Sequence, residues 1–229
     1  MAGYKLETHL HTSESSKCAI SNAALQVDFY KMLGYDGAII TDHFITGNTA
    51  VDRSLPWEVQ IEHFYRGFEN ARKRGDEIGF DVYEGLEYNY KGTEFLVLNL
   101  PREFWYKNER VCDMHPSEFI PLFQQAGAFV IQAHPYRQAP YIEEIRLFEG
   151  EVDAIEVFNL ANSEMANSRA LELAIRSKKP MTAGSDCHES VGRKAGAGVL
   201  LSRRPEGLGE IVDMIKGGST NVFRSLKEI

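Results

Sequence analysis

The chain has 229 residues, 43% hydrophobic and 25% charged, with a formal net charge of −8. That length supports one domain, 1–229, with a substantial core, and no apolar run approaches the roughly 18 residues of a membrane span. The acidic balance excludes an extended nucleic-acid surface, which needs a basic footprint against phosphates, but it leaves room for a local basic pocket. Three cysteines, Cys18, Cys112 and Cys187, are odd in number and widely spaced, so neither a disulfide framework nor a CxxC zinc site is expected. The opening Met-Ala-Gly-Tyr-Lys-Leu-Glu lacks the basic-then-apolar order of a signal peptide, and the expected location is the cytoplasm.

Tyr4 to His9 reads as the first strand, followed by a polar loop from Thr12 to Ser21. Ser21 is the expected N-cap of a helix from Asn22 to Leu33, stopped by Gly34. Gly37 to Ile40 is a buried-looking strand ending in Thr41-Asp42-His43. A polar stretch leads to one helix from Pro56 to Arg74, then to strands at Phe80–Glu87 and, after a Lys91-Gly92 turn, Phe95–Leu100. Pro116 starts a helix that runs to Ala126. Phe129 to Ala133 is a strand ending at His134-Pro135, and Ile142 to Leu147 a short helix. The strand Ala154–Phe158 ends at Asn159, a helix covers Ser163–Ser177, and the strand Pro180–Ser185 ends at Asp186. A short strand, Gly198–Leu201, and a helix, Pro205–Ile215, complete the reading. Strands alternating with helices predict an α/β fold with a parallel sheet, open or closed into a barrel.

Six of these strands end in residues able to bind metal: His9 and His11, His43, Glu87, His134, Asn159, and Asp186 with His188. Residues i and i+2 of a strand share a face, so His9 pairs with His11, and Asp186 with His188. In a barrel of parallel strands these ends converge on one rim. Five of the seven histidines follow the pattern; His63, inside a helix, and His115, before Pro116, are read as structural or exposed. Nitrogen and oxygen donors without a thiolate cluster suit zinc, manganese or iron. The donors exceed what one tetrahedral ion needs. A carboxylate such as Glu87 can bridge two ions, and paired ions roughly 3.5–4 Å apart activate water to hydroxide.

On the substrate side, Arg137, Arg193 and Lys194 fall on loops at the same rim and suit phosphate. Asn159 is a candidate hydrogen-bonding group for a ligand, and Glu156 either joins it or satisfies a buried cation. The aromatics of Tyr88-Asn89-Tyr90 and Phe104-Trp105-Tyr106 wall a pocket or pack the core. No P-loop, GxGxxG or GxSxG spacing is present.

The series His9-Leu10-His11-Thr12, Thr41-Asp42-His43, Gly85-Leu86-Glu87, Ala133-His134-Pro135 and Gly184-Ser185-Asp186-Cys187-His188 resembles the successive motifs of the PHP (polymerase and histidinol phosphatase) family, over residues 4 to 201. The resemblance implies a distorted (β/α)7 TIM-like barrel with two or three divalent ions at its rim. By position, His9, His11, Glu87 and Asp186 would hold one ion, Glu87 and His134 a second, and His43 and His188 a third. The chain departs from the family after HxHT, where Glu14 or Cys18 stands in for the usual ligand. It departs again after the glutamate, where a histidine is usual and only Glu94 stands near that place, so the second ion would be bound by Glu94 or by fewer protein ligands.

The resulting expectation is a metal-dependent phosphoesterase that hydrolyses a small phosphorylated metabolite or nucleotide by metal-activated hydroxide. His134, Asp186 and His188 are the catalytic candidates, with no membrane partner. The alternatives are a metal-dependent amide or lactone hydrolase and a non-catalytic, metal-stabilised regulatory domain.

Overall fold

The computed structural model describes residues 3–192 and 195–226. Strand β1 (Tyr4–Leu10) leads through the polar loop to helix α1 (Ala23–Met32). Asn22, not Ser21, caps this helix by accepting the Leu25 N–H at 2.9 Å. The Ser21 hydroxyl instead accepts the Ser190 N–H at 2.9 Å. Strand β2 (Gly37–Ile40) is wholly buried. The helix expected from Pro56 to Arg74 is two helices, α2 (Trp57–Phe64) and α3 (Arg66–Ile78), broken at Tyr65. The break seats Gly67 so close to Thr12 and Asp42 that a Cβ would collide with both.

Strands β3 (Asp81–Tyr90) and β4 (Thr93–Leu98) form a hairpin. Its turn residues, Lys91 and Gly92, both have positive φ (50° and 84°), the signature of the tight turns that match strand twist. Helix α4 (Arg102–Lys107) follows and buries Trp105 completely. A 3₁₀ turn (Glu109–Asp113) leads to helix α5 (Pro116–Gln125), capped by His115. After strand β5 (Phe129–Gln132), the expected helix at 142–147 does not form. The Gln132 side-chain amide donates to the Arg146 carbonyl (2.7 Å) and accepts the Phe148 N–H (2.9 Å), which ties that segment to β5. Strand β6 (Ala154–Asn159), helix α6 (Glu164–Ser177), strand β7 (Met181–Gly184), strand β8 (Ala195–Leu201), helix α7 (Leu208–Lys216) and strand β9 (Thr220–Leu226) complete the described chain.

The sheet order is β7-β6-β5-β4-β3-β2-β1-β8-β9. The sheet curls until β7 meets β1. There the Thr8 hydroxyl donates to the Ala183 carbonyl (2.7 Å), the Asp186 N–H to the His9 carbonyl (2.9 Å), and the His11 N–H to the Cys187 carbonyl (3.2 Å). Seven strands thus make a ring, and the β8–β9 hairpin extends from the lower half of β1. This is the distorted barrel expected. The sheet is not all parallel, however: β4 runs antiparallel to both β3 and β5, so its beginning lies at the rim where the other strands end. Leu6, Ile39, Leu96, Leu98 and Ile131 pack together with Ile211 and Ile215 of α7. A cluster rich in aromatics, including Phe44, Tyr88, Trp105 and Phe119, packs against another part of the sheet. The residues of 104–106 therefore include a core anchor, Trp105, rather than a pocket wall. Among the described residues no helix is long and apolar enough to cross a membrane.

Candidate metal centre

The ends of five strands and the start of β4 bring the donors together. His9 on β1 and His11 just beyond it are fully buried, with their Nε2 atoms 3.2 Å apart. Glu87 of β3 lies between four rings. Its Oε1 is 3.2 Å from His9 Nε2 and 3.1 Å from His134 Nε2, and its Oε2 is 2.8 Å from His43 Nδ1 and 3.5 Å from His11 Nε2. Asp186 Oδ1 stands 3.1 Å from His11 Nε2, 3.6 Å from His9 Nε2 and 3.4 Å from His188 Nδ1. Glu94 reaches His134 (3.4 Å) and His43 (3.8 Å) because β4 starts at this rim. Its cross-strand partner is Asn89, which alternation places on the same face as Glu87. Four overlapping groups of donors lie within 4.8 Å of one another: His9/His11/Asp186, His9/Glu87/His134, His43/Glu87/Glu94 and His11/His43/His188.

Close packing of strands makes this convergence possible. Gly184 of β7 lies against His9, and a Cβ there would overlap the His9 Cβ. His134 and Asp186 adopt positive φ, 27° and 52°, a conformation costing of order 1–3 kcal/mol for such residues. Each is held there by its own amide. The His134 N–H donates to Glu156 Oε2 (2.9 Å) and the Asp186 N–H to the His9 carbonyl (2.9 Å).

Charge is balanced within the cluster. Burial would lower the His9 pKa, but Glu156, Asp186 and Glu87 raise it well above its ordinary value. Burial opposes ionisation of Glu87, yet His9 and His43 hold its pKa well below the usual carboxylate range. Asp186 is likewise held down, against burial, by His9 and Arg137. His11 is driven down by burial and by its neighbours His188 and His43, so it is neutral and able to ligate.

A divalent ion fits these residues. Glu87 Oε2 and His43 Nδ1 are buried and face each other at 2.8 Å, yet neither makes a hydrogen bond. Unused donor atoms in a dry site are costly, and an ion between them removes that cost. The donors are imidazole and carboxylate, the set suited to zinc, manganese or iron.

Two expected ligands separate. Glu14 leaves the cluster: its carboxylate accepts the Ala23 N–H at the start of α1 (3.0 Å) and Asn70 Nδ2 (3.2 Å). An orphan N–H at a helix N-terminus attracts a carboxylate strongly. Cys18, from the same loop, does reach the centre. Burial raises its pKa, but hydrogen bonds to His188 and His43 outweigh it and bring it to about 6.

Arg137 donates to Asp186 Oδ2, to Asn159 Oδ1 (3.2 Å) and to Asn162 Oδ1 (3.0 Å). Asn159 is fully buried, and its Nδ2 donates to Glu156 Oε2 (3.0 Å). With both ends of its amide engaged, it orients Arg137. Arg193 and Lys194 lie outside the described residues. His63 and His115 sit away from the cluster; the latter caps α5 and packs on Tyr90 and Phe148.

Glu156 and Asp42 do more than their sequence positions announce. Glu156 Oε1 accepts from His9 Nδ1 at 2.9 Å, so the cation it satisfies is the imidazole ring itself. Such carboxylate–histidine pairs fix the tautomer that leaves Nε2 for a metal. Asp42 accepts from the Thr12 N–H (2.6 Å), the Thr12 hydroxyl (2.7 Å) and the Ser16 hydroxyl (2.6 Å). Ser16 lies 3.1 Å from His11 Nδ1 and accepts the His43 N–H at 3.0 Å. The signal for Asp42 was its place beside His43; for Glu156 it was a charge on a buried strand. A cleft of about 710 Å³ opens over the centre, lined by Cys18, His43, Glu94, Arg137, Tyr141 and His188 among others.

A ring of strands with buried histidines and carboxylates at its C-terminal rim defines an α/β barrel with a candidate metal centre. Residues 164–194 match the PHP-associated family model, a segment that carries α6, β7 and the Asp186/His188 motif. The match is confined to that segment. Among solved structures it is similar to a two-domain protein of Bacteroides vulgatus containing a predicted PHP-like metal-dependent phosphoesterase, with a TM-score of 0.71 and 16% identity over 97% of this chain. The chain spans 65% of that protein's length. It is also similar to a candidate metal-dependent phosphoesterase of Bifidobacterium adolescentis (TM-score 0.55, 16% identity, 90% of this chain and 91% of the other). An amidohydrolase of Chromobacterium violaceum with bound sulfate and no metal shares the fold at a TM-score of 0.52 and 12% identity, over 90% of each chain. No curated protein matches the sequence.

Proposed function

We propose that the protein is a metal-dependent phosphoesterase acting on a small phosphorylated metabolite or nucleotide. The observation that carries this reading is a buried N/O donor cluster with an arginine fixed at its edge, beneath an open cleft. His9, His11 and Asp186 would hold one ion, Glu87 with His134 and Glu94 a second, and His43 with His188 a third. Bound divalent ions supply Lewis acidity and lower the pKa of water from 15.7 to about 7.

The remaining chemistry falls to the chain's own groups. Arg137 presents a guanidinium whose position is set by Asp186, Asn159 and Asn162. A phosphoryl group in the cleft meets it there, and its fixed charge stabilises charge gathering on the phosphoryl oxygens. His188 is 24% exposed at the cleft; when the third position is empty, it is the group placed to give a proton to the departing oxygen. His134, buried against Glu87 and Glu94, is a ligand in this scheme and not a proton donor. Gly184 and Glu156 hold His9 in register, and Asp42 holds Ser16 between His11 and His43.

The test is metal content by elemental analysis, followed by assay of the same sample on p-nitrophenyl phosphate and its bis ester with added manganese. Two or three equivalents and metal-dependent turnover are expected. Metal without turnover on either ester, but with turnover on cyclic amides or lactones, would replace this reading with the second one. That alternative draws its support from the fold shared with the Chromobacterium violaceum amidohydrolase.

A further inference from the structure

Ser16 stands between the exits of β1 and β2 and has one proton to give. Its hydroxyl meets Asp42 Oδ1 at 2.6 Å, the His43 N–H at 3.0 Å and His11 Nδ1 at 3.1 Å. A hydroxyl donates once and accepts through two lone pairs. The His43 N–H can only donate. Asp42, a carboxylate that also takes the Thr12 N–H and the Thr12 hydroxyl, can only accept. The hydroxyl proton therefore goes to Asp42, and the lone pair left over faces His11 Nδ1. Water does not compete here: His11, Thr12 and Ser16 are fully buried and Asp42 is 2% exposed. The backbone of α3 seals the far side at Gly67, where a Cβ would overlap Asp42 Oδ2 and Thr12 Oγ1. The other ring nitrogen, His11 Nε2, faces the donor cluster, 3.1 Å from Asp186 Oδ1 and 3.2 Å from His9 Nε2. Two forms of the neutral ring thus compete for one proton: Nδ1–H towards Ser16 and Nε2–H towards Asp186.

We propose that Ser16 is a positioning residue which, with Asp42 behind it, holds His11 in the Nδ1–H tautomer and keeps Nε2 bare for a metal ion. Glu156 acts on His9 through a carboxylate, which has no proton to give. A serine hydroxyl has one, and turned towards His11 it would drive the ring proton to Nε2, where a protonated nitrogen cannot bind metal. Asp42 draws that proton away and so makes Ser16 an acceptor. The same hydroxyl fixes the His43 amide, so it couples a ligand after β1 to a ligand after β2. The two histidines of the His9-Leu10-His11 pair are then set in the same tautomer by different chemistry. This inference rests on the metal-dependent reading above and adds to it the residues that prepare one of its ligands.

The experiment is two-bond nitrogen–proton correlation NMR of the imidazole rings in the metal-stripped full chain at pH 8, with the His11 signals assigned by their loss in His11→Asn. Wild type should show the Nδ1–H ring, with Nε2 resonating as an unprotonated nitrogen. Ser16→Ala removes the acceptor, so the proton should move to Nε2, towards Asp186. That variant should also bind zinc about 10–100-fold more weakly in competition with a chelator. Asp42→Asn should keep the wild-type tautomer, because its one oxygen still takes the Thr12 N–H and the Ser16 hydroxyl. An Nε2–H ring in the wild type or in Asp42→Asn, or an unmoved proton in Ser16→Ala, would overturn the proposal, whatever the variants do to melting. Should Ser16→Ala fail to fold, the wild-type spectrum decides alone. No spectrum here depends on ester turnover: a wild type that binds zinc or manganese without cleaving any ester would remove the phosphoesterase reading and leave the tautomer assignment standing.

Discussion

Replacing Glu156 by glutamine separates the hydrogen-bond scaffold from the charge it carries. Glu156 uses both oxygens: Oε1 accepts from His9 Nδ1 (2.9 Å), and Oε2 accepts from the His134 N–H (2.9 Å) and Asn159 Nδ2 (3.0 Å). A glutamine has one oxygen. Two fixed donors, an amide N–H and an asparagine NH2, claim it, so the new NH2 faces His9 Nδ1. That nitrogen must then accept, which moves the ring proton to Nε2. Nε2 is the atom facing His11, Glu87 and Asp186, and a protonated nitrogen cannot bind metal. Outer partners of metal-binding histidines are worth about 10–100-fold in affinity, or ~1.4–2.8 kcal/mol. The expected result is a loss of that size for Glu156→Gln, measured by competition with a chelator. Because hydrogen-bond pairing is preserved, the metal-free protein should lose only about 1 kcal/mol in urea unfolding. Unchanged metal affinity in Glu156→Gln would refute the tautomer argument, and so would a loss seen only in folding.

Other expectations follow from particular contacts. Gly184→Ala should destabilise the metal-free chain by about 1–3 kcal/mol, the usual cost of overpacking, and should weaken metal binding as well, since the added methyl displaces His9; a variant with full metal content and wild-type melting would count against the close approach. Arg137→Met should lower kcat/KM on phosphate esters on the order of 100-fold, as loss of an oxyanion-stabilising donor does, with metal content retained; equal turnover would remove Arg137 from the reaction. The metal-free protein should unfold at higher urea concentration at pH 6 than at pH 8. The carboxyls of Glu7 and Asp42 are raised by burial to about 7 and about 6, so their favourable contribution is present at low pH and fades as pH rises through those values. His9 and His43, raised by neighbouring carboxylates, act in the same direction above pH 6.5, and His11, which is lowered, opposes them. Metal binding should reverse this trend, because ions must displace those protons; a metal-free midpoint that rises with pH would contradict the assigned directions.

The legible part of this protein lay in its strand ends. A histidine or carboxylate after each apolar run is a local pattern, and strand alternation alone says which residues share a face. The resemblance to the PHP motifs implied the barrel and the grouping of donors. Those signals are short-range, and they survive in a one-dimensional reading because each motif is carried by a single strand and its exit.

What remained hidden depends on contacts between distant segments. That β4 runs backwards, and so delivers Glu94 to the rim, follows from a two-residue turn with two positive φ values. The choice between Glu14 and Cys18 is made by α1, whose first free N–H captures the carboxylate, leaving the thiol to face the histidines. That Asn159 is held at both polar ends, by Arg137 and by Glu156, shows only once the fold brings them together. Glu156 itself is one more charge in an apolar strand until β1 brings His9 against it, 147 residues away in sequence. Donor types and their spacing along each strand are properties of the sequence. Which donors meet, which tautomer they hold and which candidates turn away are set by the closure of β7 on β1, because only there do hydrogen bonds compete for the same atoms.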